Sequence, residues 1–288
     1  HYKEAIAIYK EALLIFEQQN ELATAAQTWN QIGLVYQALG DTDAAEFACR
    51  KSLAIFTRLN HRAGQAVNLS QLGSLYDHCL NRLEEAVIFY QQSASIKFEL
   101  KDSLGEGQVR SNIAITLYKL QKYNEAKREV LRAIECKQSF GHAANLTVSF
   151  AVLYAIETAI GNPEAARTAW LQARDAHLAY RRQGGYAEFY GGQLVDYTLG
   201  WLAQQLVDDM QALCSELMKI AEQLHITDSQ KQLIQAMVAI LNGSRDPALA
   251  DDAALDYADA AEVLFLIERL NPESERAREQ ESESGSEE

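Results

Sequence analysis

One small residue returns along this chain with a fixed period. Alanine stands at Ala5, Ala45, Ala86, Ala126 and Ala166, at spacings of 40, 41, 40 and 40 residues. Four residues after each alanine come Tyr9, Cys49, Tyr90, Val130 and Trp170. Seven residues after it comes a second small residue, in turn Ala12, Ser52, Ser93, Ala133 and Ala173. Offsets of zero, four and seven fall on one face of an α-helix. Two small residues on that face let a neighbouring helix approach closely, and the larger one fills the gap. A repeat of this kind stacks one supersecondary unit on the next and excludes a conventional globular layout.

A second helical pattern precedes each alanine helix. In the clearest copy, Thr28 to Phe56, Trp29, Ile32, Gly33 and Tyr36 form the stripe expected to be buried, and Leu39-Gly40-Asp41 forms the turn. The next copy has Leu69, Leu72, Gly73 and Tyr76, with one residue inserted in its turn. The third has Ile113 and Ala114, and the fourth turns at Gly161-Asn162-Pro163, where proline suits the first turn of a helix. Long stretches of Ala, Leu, Glu, Gln and Lys with only three prolines favour helix throughout. The expected fold is all-α.

These residues resemble the tetratricopeptide repeat family: an aromatic, Leu or Ile, Gly and Tyr, then Gly-Asp, the alanine and a later small residue. The resemblance covers residues 1 to about 180 and implies a right-handed α-α superhelix. The family's unit is about 34 residues. The forty-residue period resembles kinesin-light-chain-type arrays, with the extra residues assigned to the second helix and its exit. The stretch Leu53 to Tyr76 is also similar to arrays in bacterial signalling proteins associated with NB-ARC and CHAT domains. Residues 1–180 are thus read as a partial first repeat plus four repeats. Residues 181–225 are read as a divergent helix pair, and 226–271 as capping helices with a capping box at Thr227 to Gln230. Residues 272–288, with seven Glu against Arg276 and Arg278, read as a disordered acidic tail. The first helix, about Tyr2 to Gln19, lacks its own partner, so the array is expected to continue on the N-terminal side.

The residues offer little chemistry. Asp77, His78 and Cys79 are adjacent, and neighbours on a helix point about 100° apart, so they do not converge on one atom. No two His or Cys stand three or four residues apart, so no metal is expected. Gly184 to Gly192 lacks any phosphate-loop spacing. The four cysteines have no CxxC pair and read as free thiols that behave as small hydrophobes, in a reducing, cytoplasmic compartment. A net charge of −14 argues against nucleic acid or an anionic membrane surface as partner. No catalysis and no cofactor are expected.

What remains is the face lined by the first helix of each pair. The family resemblance places its groove-facing residues at Gln27, Asn30, Leu34 and Gln37 in the first full repeat. The second gives Val67, Ser70, Ser74 and Asp77, with His78 beside them. The third gives Gln108, Ser111, Ile115 and Tyr118, with Lys119 beside them, and the fourth gives Val148, Ala151, Ala155 and Thr158. Amides and hydroxyls can pair with an extended backbone, and Leu34, Ile115 and Tyr118 offer apolar contact. The family's basic clamp for C-terminal carboxylates is absent, since Asn30, Ser70, Ser111 and Ala151 fill its lysine position. The expected function is a scaffold or sensor that holds a protein or peptide. Two other readings stand beside it: a small-molecule sensor at Arg181 to Tyr190, and an oligomerisation module using the first helix.

Overall fold

The computed structural model describes residues 2–140, 146–185, 190–203, 210–222 and 225–271, apart from a few side chains at the ends of these stretches. Among them are thirteen α-helices and no strand. They divide into two compact units, His1–Ala144 with Val148–Ala166, and Asn145–Thr147 with Arg167–Glu288.

The first unit holds α1 (Tyr2–Gln18), α2 (Leu22–Leu39), α3 (Thr42–Arg58), α4 (Arg62–His78), α5 (Leu83–Glu99), α6 (Ser103–Lys119), α7 (Tyr123–Gln138), α8 (Thr147–Ala159) and the start of α9 (Pro163–Arg182). From α1 to α7 each helix packs on the next in the chain. The joints explain the period. Asn20, Gly40, Asn60, Asn81, Lys101, Gln121 and Gly161 all take positive φ, close to one every twenty residues. At Gly40 the turn is closed by Asp41 N–H to the Tyr36 carbonyl and Gly40 N–H to the Gln37 carbonyl, both 3.0 Å. The same pair of bonds recurs at Asn20, Asn60, Lys101, Gln121 and Gly161. This is the left-handed closing motif that satisfies the last carbonyls of a helix. The next residue then caps the following helix: Asp41 accepts from Ala44 N–H at 3.1 Å, His61 Nδ1 from Gly64 N–H at 3.0 Å, and Asp102 from Gly105 N–H at 2.9 Å. Equal helices and short joints therefore make up the forty residues. The extra length lies in both helices of a pair, and the exits from α1, α3 and α5 are as tight as the turns within pairs.

The recurring small residues behave as contacts. A Cβ added to Gly33 would lie 2.8 Å from Cys49 Sγ, and one added to Gly73 would lie 2.6 Å from the Tyr90 ring. Ser52 Oγ donates to the Ala26 carbonyl at 2.6 Å, and Ser93 Oγ repeats the bond to the Ala66 carbonyl at 2.7 Å. Ile32, Leu72, Tyr76, Tyr90 and Ile113 are fully buried in the stripes, while Trp29 and Tyr36 are half-buried.

The second unit contains the rest of α9, α10 (Tyr190–Ala203), α11 (Met210–Ala221), α12 (Asp228–Leu241), a short 3-10 turn at Pro247–Asp251, and α13 (Tyr257–Arg269). The expected capping box is present: Gln230 N–H donates to Thr227 Oγ1 at 3.1 Å, and Thr227 N–H to Gln230 Oε1 at 2.9 Å. The final helix begins at Tyr257, capped by Asp256, while Asp246 caps the 3-10 turn before it and Asp252 a further bend. Residues 272–288, read from sequence as an acidic tail, lie outside the described residues. No described helix is long and apolar enough to cross a membrane.

Candidate functional site

The first helices of consecutive pairs, α2, α4 and α6, bring most of the expected groove residues onto one series of faces. Between α4 and α6 they enclose a hollow of about 280 Å³. Val67, Ser70, Gln71 and Ser74 line it from α4, Gln108, Val109 and Asn112 from α6, and Lys97 reaches in from α5. Ser70 and Ser74 are half-buried and Gln108 is exposed, so hydroxyls and amides face the open space. Gln71 Oε1 is buried without a hydrogen-bond partner, as is Asn30 Oδ1 on α2. A buried acceptor with no donor costs stability until one is supplied.

The remaining expected residues divide into free and committed ones. Gln27 and Leu34 are exposed, Gln37 and Ile115 half-buried. Tyr118 is half-buried against Tyr123, with ring centroids 5.6 Å apart. In the fourth repeat Val148 and Thr158 are exposed and Ala151 and Ala155 half-buried. Asp77 is 5% exposed and faces α6: its Oδ1 lies 2.6 Å from Lys119 Nζ, and its Oδ2 accepts from Thr116 Oγ1 at 2.9 Å. This ties α4 to α6 instead of leaving Asp77 on the open face. Ser111 is also interior, 4% exposed, donating to the Gly107 carbonyl at 3.0 Å. His78 Nδ1 lies 3.0 Å from the carbonyl of Ser74 and 3.4 Å from its hydroxyl.

Sequence reasoning missed the residue eleven places after each repeat alanine. It is Phe16, Phe56, Lys97, Lys137 and His177 in turn. Lys97 is held by Asp102, Nζ to Oδ2 2.9 Å. Burial raises the Asp102 carboxyl, and its bonds from Lys97 and the Gly105 N–H outweigh this and hold it below its usual range. In the second unit His177 Nε2 lies 3.2 Å from Glu262 Oε1. The same counting that found Tyr90 and Ser93 would have found these positions.

A second hollow, about 400 Å³, lies among α3, α4 and α5, lined by Leu53, Thr57, Arg62, Gln65, Leu69, Gln92, Ser95 and Ile96. It is larger, but Arg62 is engaged by Gln65 at 3.0 Å and Glu99 at 2.5 Å, and Gln65 donates to the Phe56 carbonyl at 3.2 Å. Its cation and its buried amide are satisfied, so the hollow between α4 and α6, with the unpartnered Gln71 Oε1, is the better candidate. The arginines considered as a small-molecule site are also engaged. Arg181 is buried, donating to the Gly185 carbonyl at 2.9 Å and pairing with Asp196 and Glu262, and Arg182 pairs with Glu268. Tyr186 and the Tyr190 side chain of that site lie outside the described residues. Cys49 is buried, and burial pushes its thiol up to about 11, while burial also raises Cys136, which keeps both thiols protonated.

Residues 24–97 match the model of the tetratricopeptide repeat family. No curated protein sequence matches the chain. Among solved structures, BtubC (BKLC) from P. vanneervenii is similar at 16% identity and a TM-score of 0.57, over 93% of this chain and 90% of that one. The apo form of RapI is similar at 16% identity and a TM-score of 0.59, over 97% of this chain and 71% of that one. At such identity the likeness is one of fold. Residues 24–97 are tetratricopeptide repeats, and the chain is an all-α helical-repeat protein built around them.

Proposed function

We propose that this chain is a non-enzymatic binding module whose first-helix faces hold an extended peptide segment of a protein partner. Tetratricopeptide repeats support a protein-interaction scaffold in general. The observation that carries the finer reading is the hollow between α4 and α6, where Ser70, Ser74, Gln108 and Asn112 surround the unpartnered Gln71 Oε1. A peptide backbone supplies an N–H donor every residue and a carbonyl acceptor beside it, which these amides and hydroxyls match. Val67 and Leu34 are exposed on neighbouring faces and give a side chain apolar contact. The resemblance of Leu53 to Tyr76 to signalling-protein arrays supports reading the module as part of a cytoplasmic signalling protein.

A photo-crosslinking residue at Ser70, compared with one at the exposed Arg128 on α7, tests this against peptides selected from a display library. Labelling from position 70 alone is expected. Equal labelling from both positions, or from 128 alone, contradicts it.

A further inference from the structure

The repeat builds one local arrangement twice, with a different outcome. In the first copy Lys97 lies between Ser70 of α4 and Val109 of α6 and is neutralised by Asp102 at 2.9 Å. The corresponding residues one period on are Lys137, Ser111 of α6 and Ser149 of α8. Lys137 Nζ lies 2.9 Å from Ser111 Oγ and 3.0 Å from Ser149 Oγ, and the two hydroxyls are 3.1 Å apart. Lys137 is 5% exposed and Ser149 is fully buried. Among the described residues no carboxylate pairs with Lys137. The register position of Asp102 is taken by His142, which lies outside them.

An ammonium group carries three N–H donors. Two point to serine oxygens, and the third meets no partner among the described residues. Burial lowers the affinity of Lys137 for its proton, which is the cost of a desolvated charge that no acid offsets. Apolar residues would hold α6 against α8 more cheaply.

We propose that Lys137, with Ser111 and Ser149, is a carboxylate-binding subsite, in which an acidic side chain of the bound peptide takes the place that Asp102 fills beside Lys97. It rests on the peptide-binding reading for the source of the carboxylate, and on the structure alone for the anion site. Gln108 is exposed and Ile115 half-buried on α6, and Val148 is exposed on α8, the two helices that carry the serines. The chain's net charge of −14 does not prevent this, because 0.15 M salt screens distant charges beyond about 8 Å.

The test follows the lysine side-chain ammonium signals of the isotope-labelled full chain by NMR. Three probes are titrated: acetate, a short glutamate-containing peptide, and its glutamine counterpart. Expected is a saturable shift at Lys137 with acetate, absent at the exposed Lys101, and saturation by the glutamate peptide at lower concentration than acetate. The glutamine peptide should bind about tenfold more weakly, the loss of one charge-assisted hydrogen bond. Lys137→Met should fold with unchanged or higher Tm and lose the acetate response. Ser149→Val, which restores the residue of the preceding copy, should weaken that response while keeping the lysine. Lys137 signals that merely track Lys101 would overturn the site, as would acetate-dependent stabilisation that persists in Lys137→Met. Saturation by acetate with no gain from the peptide keeps the anion site and overturns its peptide source. Peptide binding unaffected by Lys137→Met keeps the peptide-binding reading and overturns Lys137 as a subsite for the peptide.

Discussion

Gly73 shows how finely single positions are fitted. Its Cα lies against the Tyr90 ring, and a Cβ there would come within 2.6 Å of an aromatic carbon. Gly73→Ala is therefore expected to cost about 1–3 kcal/mol by overpacking, measured by urea unfolding. The third copy carries Ala114 opposite the smaller Val130, both fully buried, so Ala is tolerated only where its partner shrinks. Ser93→Ala removes a buried donor to the Ala66 carbonyl and is expected to cost about 1 kcal/mol. Ser52→Ala is expected to cost the same, and the two should add, since they sit in different repeats with no shared partner. Lys119→Met strips the buried Asp77 carboxylate of its cation and leaves only Thr116. A loss of about 1–2 kcal/mol is expected, below that of a fully buried pair because Lys119 is partly exposed. The contact residues were legible from sequence because their identity recurs with the period. Asp77 and Ser111 were not legible as interior polar groups, because the residue types of their partners Lys119, Thr116 and Ser149 do not recur with the period.

At the scale of helices, the joints carry the architecture. Lys101 and Gln121 hold positive φ where glycine or asparagine serves elsewhere. Such a residue costs about 1 kcal/mol or more in the left-handed region. Gln121→Gly is expected to raise stability by about 0.5–1 kcal/mol, since the greater freedom of glycine in the unfolded chain offsets part of the gain. A fall in the urea midpoint would contradict this. The Gly40 and Gly161 turns were readable as glycine, whereas the same turn at Lys101 and Gln121 carries no residue signal and shows only as spacing. In the second unit, α13 carries Asp259, whose carboxyl burial raises to about 6, with Asp256 and Glu262 adding to the shift. Ser229, 2.5 Å from its Oδ2, and His177 work against the shift without reversing it. A carboxyl that holds its proton more tightly when folded stabilises the fold at low pH, and this contribution is lost as pH rises through about 6. Asp259→Asn should flatten that part of the Tm profile between pH 4 and 7. An unchanged profile would remove Asp259 as its source.

On the scale of the whole molecule, the proposed binding role rests on helix faces of the first unit and on no single residue. Function belongs to a face, and the face is set by register. The register placed Ser70, Ser74 and Gln108 around one hollow. It could not distinguish a serine facing a hollow from one hydrogen-bonded to a buried lysine, because that depends on what the second helix sends between the first helices. The second unit was less legible still, because its helices leave the forty-residue period and are held by partners distant in sequence, such as His177 with Glu262 and Arg182 with Glu268.

The most direct measurement is the affinity, by titration calorimetry, of a library-selected peptide for the full chain and for Ser70→Trp. The substitution fills the hollow from a half-buried position, and Tm, measured alongside, confirms that the fold is kept. A loss of at least about tenfold in affinity at an unchanged Tm is expected. Equal affinity for the two proteins would contradict peptide binding between α4 and α6.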